Sequence, residues 1–146
     1  MLSYSATQEE PAFEADYTRR LGITEPVSDL RALYEDRRGC LWIGSAAALY
    51  RTCGNRDMDR FTTADGLAHD AVRGFLETRD GTLYMATTGG VTAYRPDRAG
   101  TGSGRFHTLT TADGLSSNNV RALYEDAGGT LWVGTEDRGL NRVVRA

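Results

Sequence analysis

At 146 residues, with 40% hydrophobic and 25% charged side chains, the chain has the size and composition of one soluble globular domain or a piece of one. A formal charge of -3 argues against a general nucleic-acid binder, which carries a basic face, and no apolar run approaches the length of a membrane span, so no membrane contact is expected. The opening stretch MLSYSATQEEPAFEADYTRR lacks the charged-then-apolar order of a secretory signal, so a complete chain would be cytoplasmic.

In chain order, residues 1–16 read as an N-terminal tail and YTRRLGI (17–23) as a short outer strand, its aromatic and Gly-aliphatic pair spaced as in FTTADGL (61–67). The segment LRALYEDRRGCLWIGS from Leu30 then recurs as VRGFLETRDGTLYMAT from Val72 and as VRALYEDAGGTLWVGT from Val120, at offsets of 42 and 48. TTADGL stands at 62–67 and again at 110–115. The longer second offset is taken up by RPDRAGTGSG (95–104), a Pro/Gly/Ser-rich loop that lengthens at little entropic cost. Repetition at such a period means stacked supersecondary units. Runs of about six residues punctuated by Gly and Asp predict short strands joined by hairpins, up to four per unit. The units span about 27–66, 71–111 and 119–144.

In the first run Leu30, Ala32 and Tyr34 share one phase and Leu33 the other. The apolar residues of LWI (41–43) and LWV (131–133) are consecutive, as in a strand covered on both faces. LYRT and LNRV are weaker, and RFTT and FHTL weaker still. Strands one and two are therefore expected deepest and strand four outermost. Sheets packed face to face around an axis make a β-propeller, here an all-β segment of three four-stranded antiparallel blades. A β-solenoid or a three-sheet sandwich is the rival. Closed propellers have about four to eight blades. The chain is thus expected either to form a six-bladed homodimer, strand 17–23 completing the partner's last blade, or to be part of a longer propeller.

The pattern V-x-x-L-x-E-D-x-x-G-x-L-W-[IV]-G-[ST], followed by F-x-x-x-x-G-L, resembles the two-component regulator propeller repeat over roughly 17–144. That resemblance implies a noncatalytic sensor module. In the family, tandem copies form the periplasmic sensor region of membrane-bound hybrid histidine kinases that sense glycans. It implies an oligosaccharide or other small-molecule ligand, a periplasmic location and a histidine kinase or other signalling partner outside this chain, since the chain has three copies where the family has many more and no kinase core of its own.

Asp36 with Gly39, and Asp126 with Gly129, precede a Trp at constant offset, with Thr78 and Gly81 in the middle copy. These resemble the Asp-box hairpins of other propellers, a carboxylate accepting from turn amides and Gly taking positive φ. One carboxylate per turn offers too few oxygens for calcium, so no metal is expected. Trp42, Tyr84 and Trp132 occupy equivalent deep positions, read as blade packing in preference to sugar stacking. Ligand recognition is sought in the loops that differ between copies, which hold His69, Asp70, Asn118, Asn119, Glu136 and Asp137. Just after them stand Arg31, Arg73 and Arg121, one per copy, suited to gripping carboxylate or sulfate groups. The alternative is local pairing of each Arg with Glu35, Glu77 or Glu125.

His69 and His107 are the only imidazoles, one expected in a loop and one on an outer strand. No nucleophile elbow, zinc spacing or phosphate-cradling Gly loop occurs, so neither catalysis nor a cofactor is expected. A propeller lyase or hydrolase acting on a polyanionic sugar or cyclic substrate, and a pure protein-interaction scaffold, are the alternatives. Cys40 and Cys53 fall near opposite positions of one hairpin. A disulfide is conceivable there, but two free thiols are the preferred expectation.

Overall fold

The computed structural model describes residues 11–12, 20, 23, 29–54, 58–96 and 105–143. The first blade comprises β1 (Leu30–Glu35), β2 (Leu41–Ser45), β3 (Leu49–Thr52) and β4 (Met58–Phe61). The second comprises β5 (Val72–Glu77), β6 (Leu83–Thr87), β7 (Gly90–Arg95) and β8 (Arg105–Leu109). The third comprises β9 (Val120–Glu125), β10 (Leu131–Thr135) and β11 (Leu140–Val143). Each is an antiparallel meander in sequence order, with four, four and three strands among the described residues. The fold is a three-bladed propeller segment. The strand expected at 17–23 and the tail at 1–16 lie largely outside the described residues. Among the described residues no helix is long and apolar enough to cross a membrane.

The first strands of successive blades, β1, β5 and β9, approach one another and form the hub. Burial does not peak where the apolar pattern suggests. In blades 1 and 2, strands two and three are the deepest: β6 is buried throughout and β7 in all but Arg95, whereas β1 is exposed at four of its six residues. The third strand is covered because Leu49 and Val91 face the following blade. Its weak local pattern hides partners that arrive from elsewhere in the chain. In blade 2 the fourth strand, β8, is the most exposed, as expected, but in blade 1 β1 is more open than β4.

The phase expected for the first strand also changes. β1 pairs Ala32 with Gly44 and Leu30 with Ser45, so Arg31 is an extra residue in a β-bulge. Arg73 and Arg121 are skipped in the same way in β5 and β9. The bulge turns Leu30 onto the face of Leu33, away from Ala32 and Tyr34.

The Asp-to-Trp turns are alike in the outer two blades. Asp36 accepts from the amides of Arg38 (2.9 Å) and Cys40 (3.0 Å) and from the Trp42 indole (2.8 Å). Asp126 accepts from Gly128, Thr130 and the Trp132 indole, each at 2.9 Å. The indole bond, followed by those from Thr130 and Gly128, holds the Asp126 carboxyl below its ordinary value. In the middle blade the Thr82 amide donates to Asp80 (3.0 Å), and so does the Thr78 hydroxyl (2.6 Å), while Tyr84 stands in the place of the Trp. Gly39, Gly81 and Gly129 close these turns with φ of 86°, 88° and 86°.

TTADGL is not the end of a strand. In both copies it is a single 3-10 turn with a reciprocal cap. The Thr62 amide donates to Asp65 (2.9 Å) while its hydroxyl accepts from Ala64 (3.3 Å), and Thr110 repeats this with Asp113 and Ala112. The turn delivers Leu67 into the core between blades 1 and 2. Ile23, from the degenerate copy, lies against Ile43, Ala48 and Tyr50 of blade 1.

The preference for free thiols is overturned: Cys40 and Cys53 form a disulfide with Cα atoms 4.1 Å apart. The register explains it. Leu41 pairs with Thr52, so one step further along the ladder residues 40 and 53 face each other.

Candidate functional site

The loop before β5, the loop before β9 and the turns between second and third strands emerge on one side of the sheets. The Glu136 amide donates to the Asn119 carbonyl (2.9 Å), joining a turn to a loop on that side. The bulges place Arg31, Arg73 and Arg121 at this same edge, freed from the ladder.

Four of the nine candidate residues converge between blades 2 and 3. Arg73 donates to the Val120 carbonyl (2.8 Å) and to the Asn119 side-chain oxygen, and stands 3.6 Å from Glu136. Arg121 donates to Glu136 at 3.0 Å, and the Asn119 side-chain amide donates to its other oxygen at 2.8 Å. One carboxylate thus lies between two guanidiniums. The hydrogen bond and charge of Arg121, then the bond from Asn119, hold the Glu136 carboxyl below its ordinary range. Arg73 Nε is buried and has no hydrogen-bond partner.

The other five candidates stand apart. Arg31 pairs with Asp29 at 2.8 Å. Asp70 and Asn118 are matched turn caps, accepting from the Thr63 and Thr111 amides at 2.7 and 2.8 Å. His69 Nδ1 accepts from the Ala71 amide (3.0 Å), and Asp137 is exposed in the turn before β11. His107 is exposed on the outer strand β8.

The arginines do not pair with the acids at the ends of their own strands. Those acids tie one blade to the turn of the blade before it. Glu77 accepts from the Tyr34 hydroxyl and the Arg37 amide, both at 3.1 Å, and Glu125 accepts from the Arg79 amide at 3.0 Å. Arg37 answers by donating to the Thr78 and Arg79 carbonyls, and Arg79 by donating to the Asp126 backbone carbonyl. Sequence reading missed these links. Their signal was a Glu at the same place in all three copies, one residue before each turn.

A second cluster also escaped it. Arg51 on β3 is buried, its guanidinium donating to Asp59 (2.6 and 3.0 Å) and to the Tyr94 hydroxyl (2.7 Å). It lies over the rings of Trp42, Phe61 and Tyr94, 5.3 to 5.7 Å from their centroids. This clasp joins blade 1 to blade 2.

Residues 24–47 and 114–137 match the two-component regulator propeller repeat. Solved structures of similar fold include extracellular domains of two hybrid two-component systems from B. thetaiotaomicron. One is 24% identical with a TM-score of 0.69, over 86% of this chain and 17% of that one. The other is 18% identical with a TM-score of 0.63, over 78% of this chain and 16% of that one. The chain therefore spans about a sixth of the length of these domains. Virginiamycin B lyase from Staphylococcus aureus is also similar in fold, at 15% identity and a TM-score of 0.52, over 82% of this chain and 42% of the lyase. No curated protein matches in sequence. Two of the three copies thus match the two-component regulator propeller repeat, and the chain is similar in fold to propeller domains that belong to hybrid two-component systems.

Proposed function

We propose that this segment is a noncatalytic sensor module of a two-component system, and that its loop edge recognises an anionic ligand, an oligosaccharide bearing carboxylate or sulfate groups. The observation that carries the reading is the rank of bulge-held arginines, Arg31, Arg73 and Arg121. A bulge that recurs at the same residue in every blade removes a side chain from the ladder and aims it, a device found beside functional sites. Glu136, accepting from Arg121 within reach of Arg73, marks the position a ligand carboxylate would take. Asn118, Asn119 and Asp137 lie on the loop before β9 and the turn before β11 that hold it, and His69 and Asp70 on the neighbouring loop before β5.

The hybrid two-component context of the structural neighbours supports a signalling role, with a histidine kinase as the receiving partner. The disulfide favours an oxidising compartment such as the periplasm. The likeness to the lyase is one of fold alone.

The test is calorimetric titration with uronate-rich and sulfated oligosaccharides. Replacing Arg31, Arg73 and Arg121 together by Ala is expected to weaken binding by about tenfold or more, the equivalent of about 1.4 kcal/mol. Glu136→Gln, which removes the internal competitor, is expected to tighten it. Unchanged affinity in the triple variant overturns the reading.

A further inference from the structure

The seam between blades 2 and 3 holds a carboxylate that the seam between blades 1 and 2 lacks. Where blade 3 has Asn119 and Glu136, blade 2 has Ala71 and Thr88, and Arg31 of blade 1 turns back to Asp29 in its own blade. Arg73 instead reaches across to blade 3, donating to the Val120 carbonyl at 2.8 Å and to the Asn119 side-chain oxygen. These bonds fix its guanidinium, only 12% exposed, without help from Glu136. A receptor for an anion is thus in place before the glutamate is added.

We propose, on the anionic-ligand reading of this edge, that Glu136 is a resident stand-in for a carboxylate of the ligand, and that binding displaces it and cuts its tie to blade 2. Three features make Glu136 a displaceable occupant. Its side chain is 43% exposed and can leave without disturbing the core. Its approach to Arg73, 3.6 Å, is beyond hydrogen-bond length, and an ion pair so open to solvent contributes little. Arg73 Nε is buried and has no hydrogen-bond partner among the described residues, so the resident carboxylate leaves the guanidinium short of acceptors.

The donors define the anion. One Glu136 oxygen accepts from Arg121 at 3.0 Å and the other from the Asn119 side-chain amide at 2.8 Å, with Arg73 beside the second. They are set for the two oxygens of one planar group, the shape that guanidinium matches in a carboxylate. A sulfate ester brings a third terminal oxygen and a tetrahedral outline, which this two-sided set matches less well. The ligand class is accordingly a uronate-bearing oligosaccharide.

What binding releases is equally defined. Glu136 opens the turn between β10 and β11, which is closed within itself by the Thr135 amide and hydroxyl, both donating to the Gly139 carbonyl at 2.9 Å. Displacement leaves that turn folded and removes the side-chain contact that holds it to Arg73 of blade 2. Occupancy of the site becomes freedom of one turn relative to the neighbouring blade.

The full chain is titrated calorimetrically with an unsulfated oligogalacturonate and with a sulfated galactan oligosaccharide of equal length, and deuterium uptake is followed over residues 135–140. The oligogalacturonate is expected to bind about tenfold more tightly than the sulfated galactan and to speed exchange at the Glu136 and Asp137 amides. Glu136→Ala, which empties the place, should tighten uronate binding about threefold and show the faster exchange before any ligand is added. Asp137→Ala removes the same charge one residue away and should tighten binding less, which separates displacement from a general change of field. Uronate binding that leaves exchange unchanged, or an affinity that responds equally to the two substitutions, overturns displacement while the anionic-ligand reading stands. Sulfated galactan binding as tightly as uronate, or more tightly, overturns the carboxylate assignment. Binding of neither sugar overturns the anionic-ligand reading itself, and the proposal with it.

Discussion

The seam between blades 1 and 2 and the seam between blades 2 and 3 follow one plan but are filled differently. Both use a strand-end glutamate on the preceding turn and an arginine on the following one. The first adds a net of rings, with Trp42 against Tyr94 and Phe61 against Phe106, each pair 5.0 Å apart, around the guanidinium of Arg51. The second is mainly aliphatic, built from Leu76, Val91, Val120, Leu123, Leu131 and Val133. The polar links fix how one blade follows another, while the apolar filling is free to vary with shape.

The largest effect separating the two seams should come from Arg51→Met. It abolishes three charge-assisted or hydroxyl contacts and the ring stacking of a buried cation, and leaves Tyr94 without its partner. A loss of about 2 to 4 kcal/mol is expected in urea unfolding. Ala93, the register equivalent on β7, is already apolar, so Ala93→Val there should change stability by packing alone.

The disulfide sharpens the contrast, since it staples the β2–β3 hairpin that carries Trp42 and Arg51 on the same two strands. Replacing Cys40 and Cys53 by Ser should cost about 2 to 3 kcal/mol for a loop of this size. Intact-mass analysis before and after reduction checks the bond directly, and a parent mass without the loss of two hydrogens would remove it.

The smallest effect belongs to the second seam and depends on pH. Because Arg121 and then Asn119 hold Glu136 below its ordinary value of 4.5, its contribution is fully present above that value. It is lost as pH falls through the lower folded value. Thermal melts of the parent and of Glu136→Gln should therefore differ at neutral pH and converge in strong acid. A difference that persists unchanged into strong acid would exclude Glu136 as its source.

Much of this could be read from the sequence, because a repeat reports its own boundaries. The three blades, their turns at Gly39, Gly81 and Gly129, and the outer position of β4 and β8 follow from spacing and local polarity. What could not be read depends on a partner strand or a neighbouring blade. The bulge at Arg31 is a mismatch in count between β1 and β2, so neither strand alone reveals it, and the phase of Leu30 was misjudged as a result. β3 and β7 looked weak because their cover comes from the next blade. The thiols were judged by cellular context, whereas register decides that they meet. At the site, the loops and arginines were found from their positions in the copies. That Arg73, Asn119, Arg121 and Glu136 converge while Asp70 and Asn118 cap turns is a matter of side-chain geometry.

The cross-blade bonds have a consequence for how the molecule comes apart. Those of the strand-end glutamates and turn arginines join a blade only to its successor, across 40 to 47 residues of chain. Stability then accumulates along the arc as in a one-dimensional lattice of nearest neighbours. Blade 2, coupled on both sides, should surrender its amide protons to solvent deuterium last. Of the two described seams, the aliphatic one should open to exchange before the ring-filled one, so that unravelling has a direction written into the order of the repeats.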